Sequence, residues 1–340
     1  MEKIKFSVKL LHPKYWPVWF AMAIWWLLIQ VLPFRLQMWL GAKIGRLAAK
    51  LSKRRRMITH KNIELCFPEL DEKAKEKLFW QTMESTGRGL FDTGIAWFWP
   101  YWRLKKVIDI RGVDHLLKAK ESGKGILLLT YHFTSLEMGC AALNRHYPYL
   151  NRGVYRPHGN PVYDYIMRKG RERHGEGLEA LPRKDVRGMV RALRKGNLLF
   201  FLPDQDYGHK YSVFVPFFNV DAATITSPTQ LTKLGAARVF SLYCVRKRDG
   251  SGYLVEVFPE HENYGKDDEK EDALTMNRFL EERIREYPEQ YLWVHRRFKS
   301  RQDNDEDFYG LQALRSFRRN RRKRSEEHAR REMQKSANNK

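Results

Sequence analysis

An apolar run, Ile126-Leu127-Leu128-Leu129-Thr130-Tyr131, delivers His132, and a carboxylate, Glu137, follows five residues later. A strand that ends at this histidine and turns into a helix near Thr134 leaves the imidazole at the rim of a sheet, where α/β proteins bind their ligands. Glu137 then returns one helical turn away, and the two together fit a catalytic base with its orienting partner. The same residues also fit a purely structural arrangement. Thr134-x-x-Glu137 has the spacing of a capping box, in which a hydroxyl and a glutamate close the free amides of a helix start. Spacing alone leaves both open.

A second candidate is Asp204, in the loop Pro203-Asp204-Gln205-Asp206-Tyr207-Gly208 that follows an apolar run at Leu198–Leu202. An aspartate there binds turn amides or, paired with a nearby arginine, forms part of a site. The elements that must position these residues follow from the hydrophobic pattern. A helical region runs from about Asp71 to Ala96, and strand-like runs occur at Gly125–Tyr131, Leu198–Leu202, Val239–Val245 and Tyr253–Phe258. Between the first two, Asp185 to Gly196 has an acidic start, an amphipathic body and a glycine stop, the marks of a helix. Strands alternating with helices predict an α/β fold, a mixed sheet flanked by helices. The loops after the first two strands then reach one edge of that sheet.

At 340 residues the chain can bury a large core, and its net charge of +23 calls for anionic partners: lipid, phosphorylated substrate, acidic carrier protein or nucleic acid. Cys66, Cys140 and Cys244 are too few and too scattered for a disulfide framework, which points to a reducing compartment. No cysteine or histidine spacing suggests a metal site, and no cofactor is expected.

From Trp16 to Phe34 the chain carries no charge, between Lys14 and Arg35. Nineteen such residues approach the minimum for a membrane span, and Trp16, Trp19, Trp25 and Trp26 favour the headgroup level. No small-residue cleavage site follows, so the run is not expected to be a removed signal peptide. Basic residues after it, among them Lys43, Arg46, Lys50 and Lys53 to Arg56, place the main body on the cytoplasmic side. The expected organisation is a short segment 1–14, a spanning or anchoring helix 15–35, a cytoplasmic domain 36–300 and a basic tail 301–340, densest at Arg318–Arg324 and expected to be disordered. A second cluster, Trp97-Phe98-Trp99-Pro100-Tyr101-Trp102, fits either a membrane-interface surface or core packing.

Six ordered blocks carry a family resemblance: RRRMITHKNIELCFPEL at Arg54–Leu70, HFTSLEMG at His132–Gly139, YRPHGNPVYDYI at Tyr155–Ile166, RKDVRGMVRALRKG at Arg183–Gly196, PDQDYGHKYSVFVPFF at Pro203–Phe218 and PEQYLWVHRRFK at Pro288–Lys299. To about Arg301 the chain resembles the late lipid A biosynthesis acyltransferases, and HFTSLE with glutamate at 137 is more like the lauroyl type than the myristoyl type. The resemblance implies an inner-membrane enzyme that moves a fatty acyl group from acyl carrier protein to a hydroxyl of the Kdo-bearing, tetra-acylated lipid A precursor. It also implies site residues: His132 and Glu137 as the H-x4-D/E motif, with Arg171 and Asp204. The basic tail lies outside the resemblance.

On that basis His132 takes the acceptor hydroxyl's proton while Glu137 fixes the ring, and either a backbone amide at the start of the helix after His132 or the Arg171 guanidinium stabilises the oxyanion; Arg171 alternatively binds an acceptor phosphate with Asp204 holding its guanidinium. No cysteine or serine is placed as a covalent nucleophile, which favours direct transfer. Arg152, Arg156, Arg168, Lys169 and Arg173 are candidates for the surface that meets the carrier protein or the acceptor headgroup. Myristoyl, palmitoleoyl or hydroxyacyl donors, or another lysolipid acceptor, use the same chemistry. A membrane-tethered nucleic-acid-binding protein is the non-enzymatic alternative; it leaves the His132 and Asp204 loops without a role, and a nucleic-acid partner is not expected.

Overall fold

The computed structural model describes residues 6–147, 151–173, 179–266, 268–302 and 307–310. The basic run at Arg318–Arg324 lies outside the described residues. Four helices open the chain: α1 (Trp16–Val31), α2 (Phe34–Leu51), α3 (Lys53–Cys66) and the long α4 (Glu72–Phe98), which starts where Asp71 accepts the amide of Ala74 at 2.7 Å. A short α5 (Tyr101–Leu104) leads into β1 (Ile108–Arg111), α6 (Val113–Glu121), β2 (Ile126–Thr130) and α7 (Leu136–His146). Then come β3 (Asn151–Tyr155), α8 (Pro161–Glu172), β4 (Glu179–Pro182), α9 (Val186–Arg194) and β5 (Leu198–Phe201). A hairpin of β6 (Ser212–Phe217) and β7 (Val220–Ile225) precedes α10 (Ser227–Gly235), β8 (Arg238–Arg246), β9 (Tyr253–Val257) and α11 (Glu269–Glu286).

Seven strands form one sheet in the order β1-β9-β8-β2-β5-β3-β4, and β6 and β7 form a separate antiparallel pair. Only the β8–β9 pairing in the large sheet is antiparallel. The central strand β2 is buried along its whole length, so it reads in sequence as an unbroken apolar run, as a strand covered on both faces must. Because β2, β5, β3 and β4 are mutually parallel, the loops that follow them emerge on one edge. The expected strands and the helix between Asp185 and Gly196 are present, with Asp185 accepting the Gly188 amide at 2.9 Å and Gly196 at φ 72°.

Two apolar cores cover the sheet. One gathers Phe79, Met83, Phe217, Ile284 and Trp293; the other gathers Ile95, Trp97, Leu116, Met138 and Tyr253. The α2 and α4 backbones touch: a Cβ on Gly45 would fall 1.9 Å from the Met83 carbonyl oxygen, and one on Gly87 would fall 2.1 Å from that of Gly41. Nothing larger than glycine fits at either point.

Two expectations about the N-terminal region change. No helix among the described residues is long and apolar enough to cross a membrane. The uncharged run does not form one rod: Pro33 forces Leu32 into an extended conformation, and α1 ends at Val31 after 16 residues. At about 1.5 Å per residue it reaches roughly 24 Å, short of the ~30 Å hydrocarbon layer. Helix α1 instead lies on α4, with Trp25 edge-on to Trp97 and Phe98 and the Ile29 carbonyl accepting from the Trp99 indole at 2.8 Å. Trp97 and Trp99 are accordingly core residues, while Trp102 remains exposed.

Candidate active site

His132 leaves β2 two residues after its last position, and Asp204 follows β5, the adjacent parallel strand. The sheet therefore brings two residues far apart in the chain into contact. Asp204 Oδ1 lies 2.6 Å from His132 Nδ1, and Oδ2 accepts the His132 backbone N–H at 2.9 Å. Burial pushes the Asp204 carboxyl up, but the attraction of His132 and the hydrogen bonds from its ring and backbone outweigh this and hold it below the usual carboxylate range. An ionised carboxylate only accepts, so Nδ1 carries the ring proton and Nε2 is left as the base.

Glu137 does not hold the histidine. Its carboxylate receives Arg171 Nε at 3.0 and 3.1 Å, Arg171 Nη2, and the Trp97 indole N–H at 2.9 Å. Burial raises the Glu137 carboxyl, yet Arg171 and the Trp97 hydrogen bond bring it below its ordinary value. Arg171 is correspondingly pushed up by Glu137 against its own desolvation. The expected partnerships are thus exchanged: Asp204 is with His132, and Arg171 is with Glu137. The physical reason is the helix start. Helix α7 begins at Leu136, with Ser135 rather than Thr134 as its N-cap residue and no side-chain cap, and Glu137 meets Arg171 of α8. The capping box is not formed either, because the Thr134 hydroxyl is engaged elsewhere.

That engagement is a buried polar network. Thr134 Oγ1 meets Ser85 Oγ at 2.8 Å and receives Arg246 Nη2, while Arg246 Nη1 pairs with Asp92, whose other oxygen accepts from Tyr253 Oη at 2.6 Å. Gln290 closes the network: its side chain accepts the Arg246 amide at 2.8 Å and donates to the Arg246 carbonyl at 2.9 Å, and its own carbonyl accepts the Thr134 amide at 2.8 Å. The segment after His132 is therefore pinned to α4 and β8. Leu292 pins the histidine itself, donating its N–H to the His132 carbonyl at 3.0 Å.

An apolar groove of about 420 Å³ opens beside this segment. Thr134 and Leu292 line it next to the histidine, and Trp25, Ala48, Met83 and Leu90 line it further along α1, α2 and α4. Its size falls within the ~300–1,000 Å³ of small-molecule sites.

The sheet edge also collects positive charge. Arg156 directly follows β3 and Arg183 directly follows β4; both are exposed, and both are near enough to Tyr207 to oppose the rise that burial gives its hydroxyl. Arg183 opens one of the blocks that carry the family resemblance, and its place after β4 matches that of Arg156 after β3. Of the other basic candidates, Arg168 pairs with Glu172 at 3.3 Å, Arg173 donates to the Trp97 carbonyl at 2.7 Å, Lys169 lies over the Tyr165 ring, and Arg152 is half-buried in β3. Among the described residues no group of three or more His, Cys, Asp or Glu side chains could hold a metal ion.

A histidine held by a buried carboxylate, near an apolar groove and a basic rim, suits acyl transfer. Residues 3–300 match the family described as bacterial lipid A biosynthesis acyltransferase. The chain belongs to this family. As a lipid A acyltransferase, it is 40% identical over 306 residues to the lipid A biosynthesis palmitoleoyltransferase of Escherichia coli (strain K12), covering 90% of this chain and 98% of that one. It is 41% identical over 298 residues to the lipid A biosynthesis lauroyltransferase of the same organism, covering 87% and 96%. With that organism's lipid A biosynthesis myristoyltransferase the identity is 26% over 302 residues, covering 88% and 92%. Lauroyl-type specificity is therefore not distinguished from palmitoleoyl-type by identity.

Proposed function

We propose that this acyltransferase moves a fatty acyl group, lauroyl first among the candidates, from acyl carrier protein to a hydroxyl of the Kdo-bearing, tetra-acylated lipid A precursor, with His132 as general base. The observation that carries the reading is the double hydrogen bond of Asp204 to His132, which leaves Nε2 basic on a segment whose Thr134 lines an apolar groove. An acceptor hydroxyl is a weak nucleophile near neutral pH, so its proton passes to His132 Nε2 as the oxygen attacks the thioester carbonyl carbon. Asp204 stabilises the imidazolium that results. The carbon–sulfur bond then breaks, and the carrier thiolate takes the proton back from the ring. An ester and a free carrier thiol leave, and His132 is restored.

The groove is assigned to the donor's acyl chain, and the Glu137–Arg171 pair fixes its aromatic wall through Trp97, which packs on both Trp25 and Tyr163. Arg156 and Arg183 are assigned to the anionic headgroup of the acceptor. The exposed apolar side chains of α1 and α2, among them Phe20, Trp26, Trp39, Leu47 and Leu51, are assigned to an anionic membrane surface, which they enter from one side without crossing it.

The test is transfer of radiolabelled lauroyl, myristoyl and palmitoleoyl groups from acyl carrier protein to the tetra-acylated acceptor in detergent. The reading expects one donor to be preferred and His132→Ala to abolish transfer while the protein stays folded. Absence of transfer from every donor refutes it.

A further inference from the structure

The segment that clamps His132 carries a second imidazole for which the scheme above has no use. Leu292 donates to the His132 carbonyl, and His295 donates its own backbone N–H to the Leu292 carbonyl at 3.1 Å, so one short turn separates the two histidines. The turn is rigid. Asn62 Nδ2 donates to the carbonyls of Trp293 at 2.6 Å and His295 at 2.7 Å, Arg55 donates to that of Val294 at 2.6 Å, and the neighbouring Arg297 is buried against β7. Within it, His295 Nε2 is buried and has no hydrogen-bond partner. Leaving a buried polar atom unsatisfied costs about 1–3 kcal/mol, so such an atom at a reaction site points to a partner that arrives with the substrate.

The ring is also kept neutral. Burial, above all, pushes its pKa down to about 4. A neutral imidazole can still act as an electrophile toward a carbonyl, with no counter-ion required. Several other donors around His132 are already engaged: the amides of Phe133, Thr134, Leu136 and Met138 donate to protein carbonyls, and Arg171 Nε and Nη2 face Glu137.

We propose that His295 is a catalytic residue whose Nε2–H donates a hydrogen bond to the carbonyl oxygen of the donor thioester, stabilising the negative charge that develops there during attack. The inference rests on the acyl-transfer reading. His295 keeps its proton throughout; His132 alone takes the hydroxyl proton and returns it to sulfur.

The experiment compares wild type, His295→Phe and His295→Gln in acyl transfer, with melting temperature as the control for folding. Losing one oxyanion donor costs about 10²–10³-fold in kcat. His295→Phe is expected to lose that much, with KM for donor and acceptor changed only a few-fold. His295→Gln, whose amide can donate, is expected to recover part of the loss. Full kcat in a folded His295→Phe protein, or a loss confined to KM, overturns the inference and leaves the acyl-transfer reading standing. Inactive wild type overturns both. Should neither variant fold, the His295 Nε2–H resonance of wild type is followed by NMR on adding a donor analogue with methylene in place of sulfur. A downfield shift on binding supports the proposal, and an unmoved resonance overturns it.

Discussion

Asp204 holds His132 at two points at once, the ring Nδ1 at 2.6 Å and the backbone N–H at 2.9 Å, so one carboxylate sets both the tautomer of the imidazole and the path of the chain that carries it. Asp204→Asn removes the charge and offers an amide that can favour the opposite tautomer. The expected result is a fall in kcat of about 10²–10⁴-fold, the range of general-base help, with substrate KM little changed. Steady-state kinetics with the acyl-carrier donor measure it, and near-wild-type kcat would show that His132 is not the base.

Why spacing misassigns this partnership is visible in the residues. Asp204 is 72 positions from His132, and only the pairing of β2 with β5 unites them; Glu137 is near in sequence but is drawn to Arg171 across the α7–α8 contact. Strands β2 and β5 are legible because their burial requires unbroken apolar runs, and β8 and β9 because most of their buried positions are apolar or aromatic. The four-residue β1 and β4, and β3 with Arg152 and Gly153 in its middle, carry no such signal and come into view only beside their neighbours. His295 sits in a block that the family resemblance marks, yet nothing in its spacing links it to His132. That link is the Leu292 backbone hydrogen bond.

Acid is expected to unfold the protein in two stages. His295, with a folded pKa of about 4, binds protons less readily folded than unfolded, as do His60, His146 and His261, all lowered chiefly by burial. Their contribution to stability is complete above the unfolded value of about 6.5 and is lost as pH falls toward the folded values. Asp204 and Glu137, whose folded pKa values are also depressed, contribute fully above the unfolded carboxylate values near 4 and lose that contribution only at lower pH. Melting temperature should therefore begin to fall below about pH 6.5. In His295→Gln this first decline should be shallower, and an identical curve would contradict the buried, neutral state of His295.

The Arg246–Asp92 pair should be a major source of stability in the sense that neither partner can be removed alone. Burial raises the Asp92 carboxyl, and Arg246 and Tyr253 work against that rise. Arg246→Leu leaves the aspartate buried without its cation, an arrangement that typically costs about 3–5 kcal/mol. Denaturant unfolding should show that loss, and adding Asp92→Asn to the same chain should recover part of it. Strict additivity of the two substitutions would show that the pair does not interact.

Donor length should respond to filling of the groove. Ala48 of α2 and Thr93 of α4 both line it, and neither is buried in the helix contacts around Gly45 and Gly87. An aromatic ring at either position takes up space that the far end of an acyl chain would use, while Thr134 and Leu292 beside the histidine stay as they are. In Ala48→Phe or Thr93→Phe, transfer of the longest accepted chain should fall by about 10–200-fold, with shorter donors retained. Competition assays with mixed acyl-carrier donors read this directly, and an unchanged preference in both variants would take the acyl chain out of this groove.

Membrane attachment should depend on the apolar faces of α1 and α2 as a surface. Trp39 and Leu47 are 55% and 56% exposed on α2, with Arg46 and Lys50 alongside, an arrangement that suits an anionic leaflet entered from one side. Each large side chain buried in the leaflet contributes about 1.5–3 kcal/mol. Trp39→Glu with Leu47→Glu should therefore release the protein from vesicles containing anionic lipid, as read by flotation. The helices themselves should survive, because α2 is held to α4 through the opposite face at Gly41 and Gly45. Undiminished flotation of the folded double variant would place the attachment elsewhere on the chain.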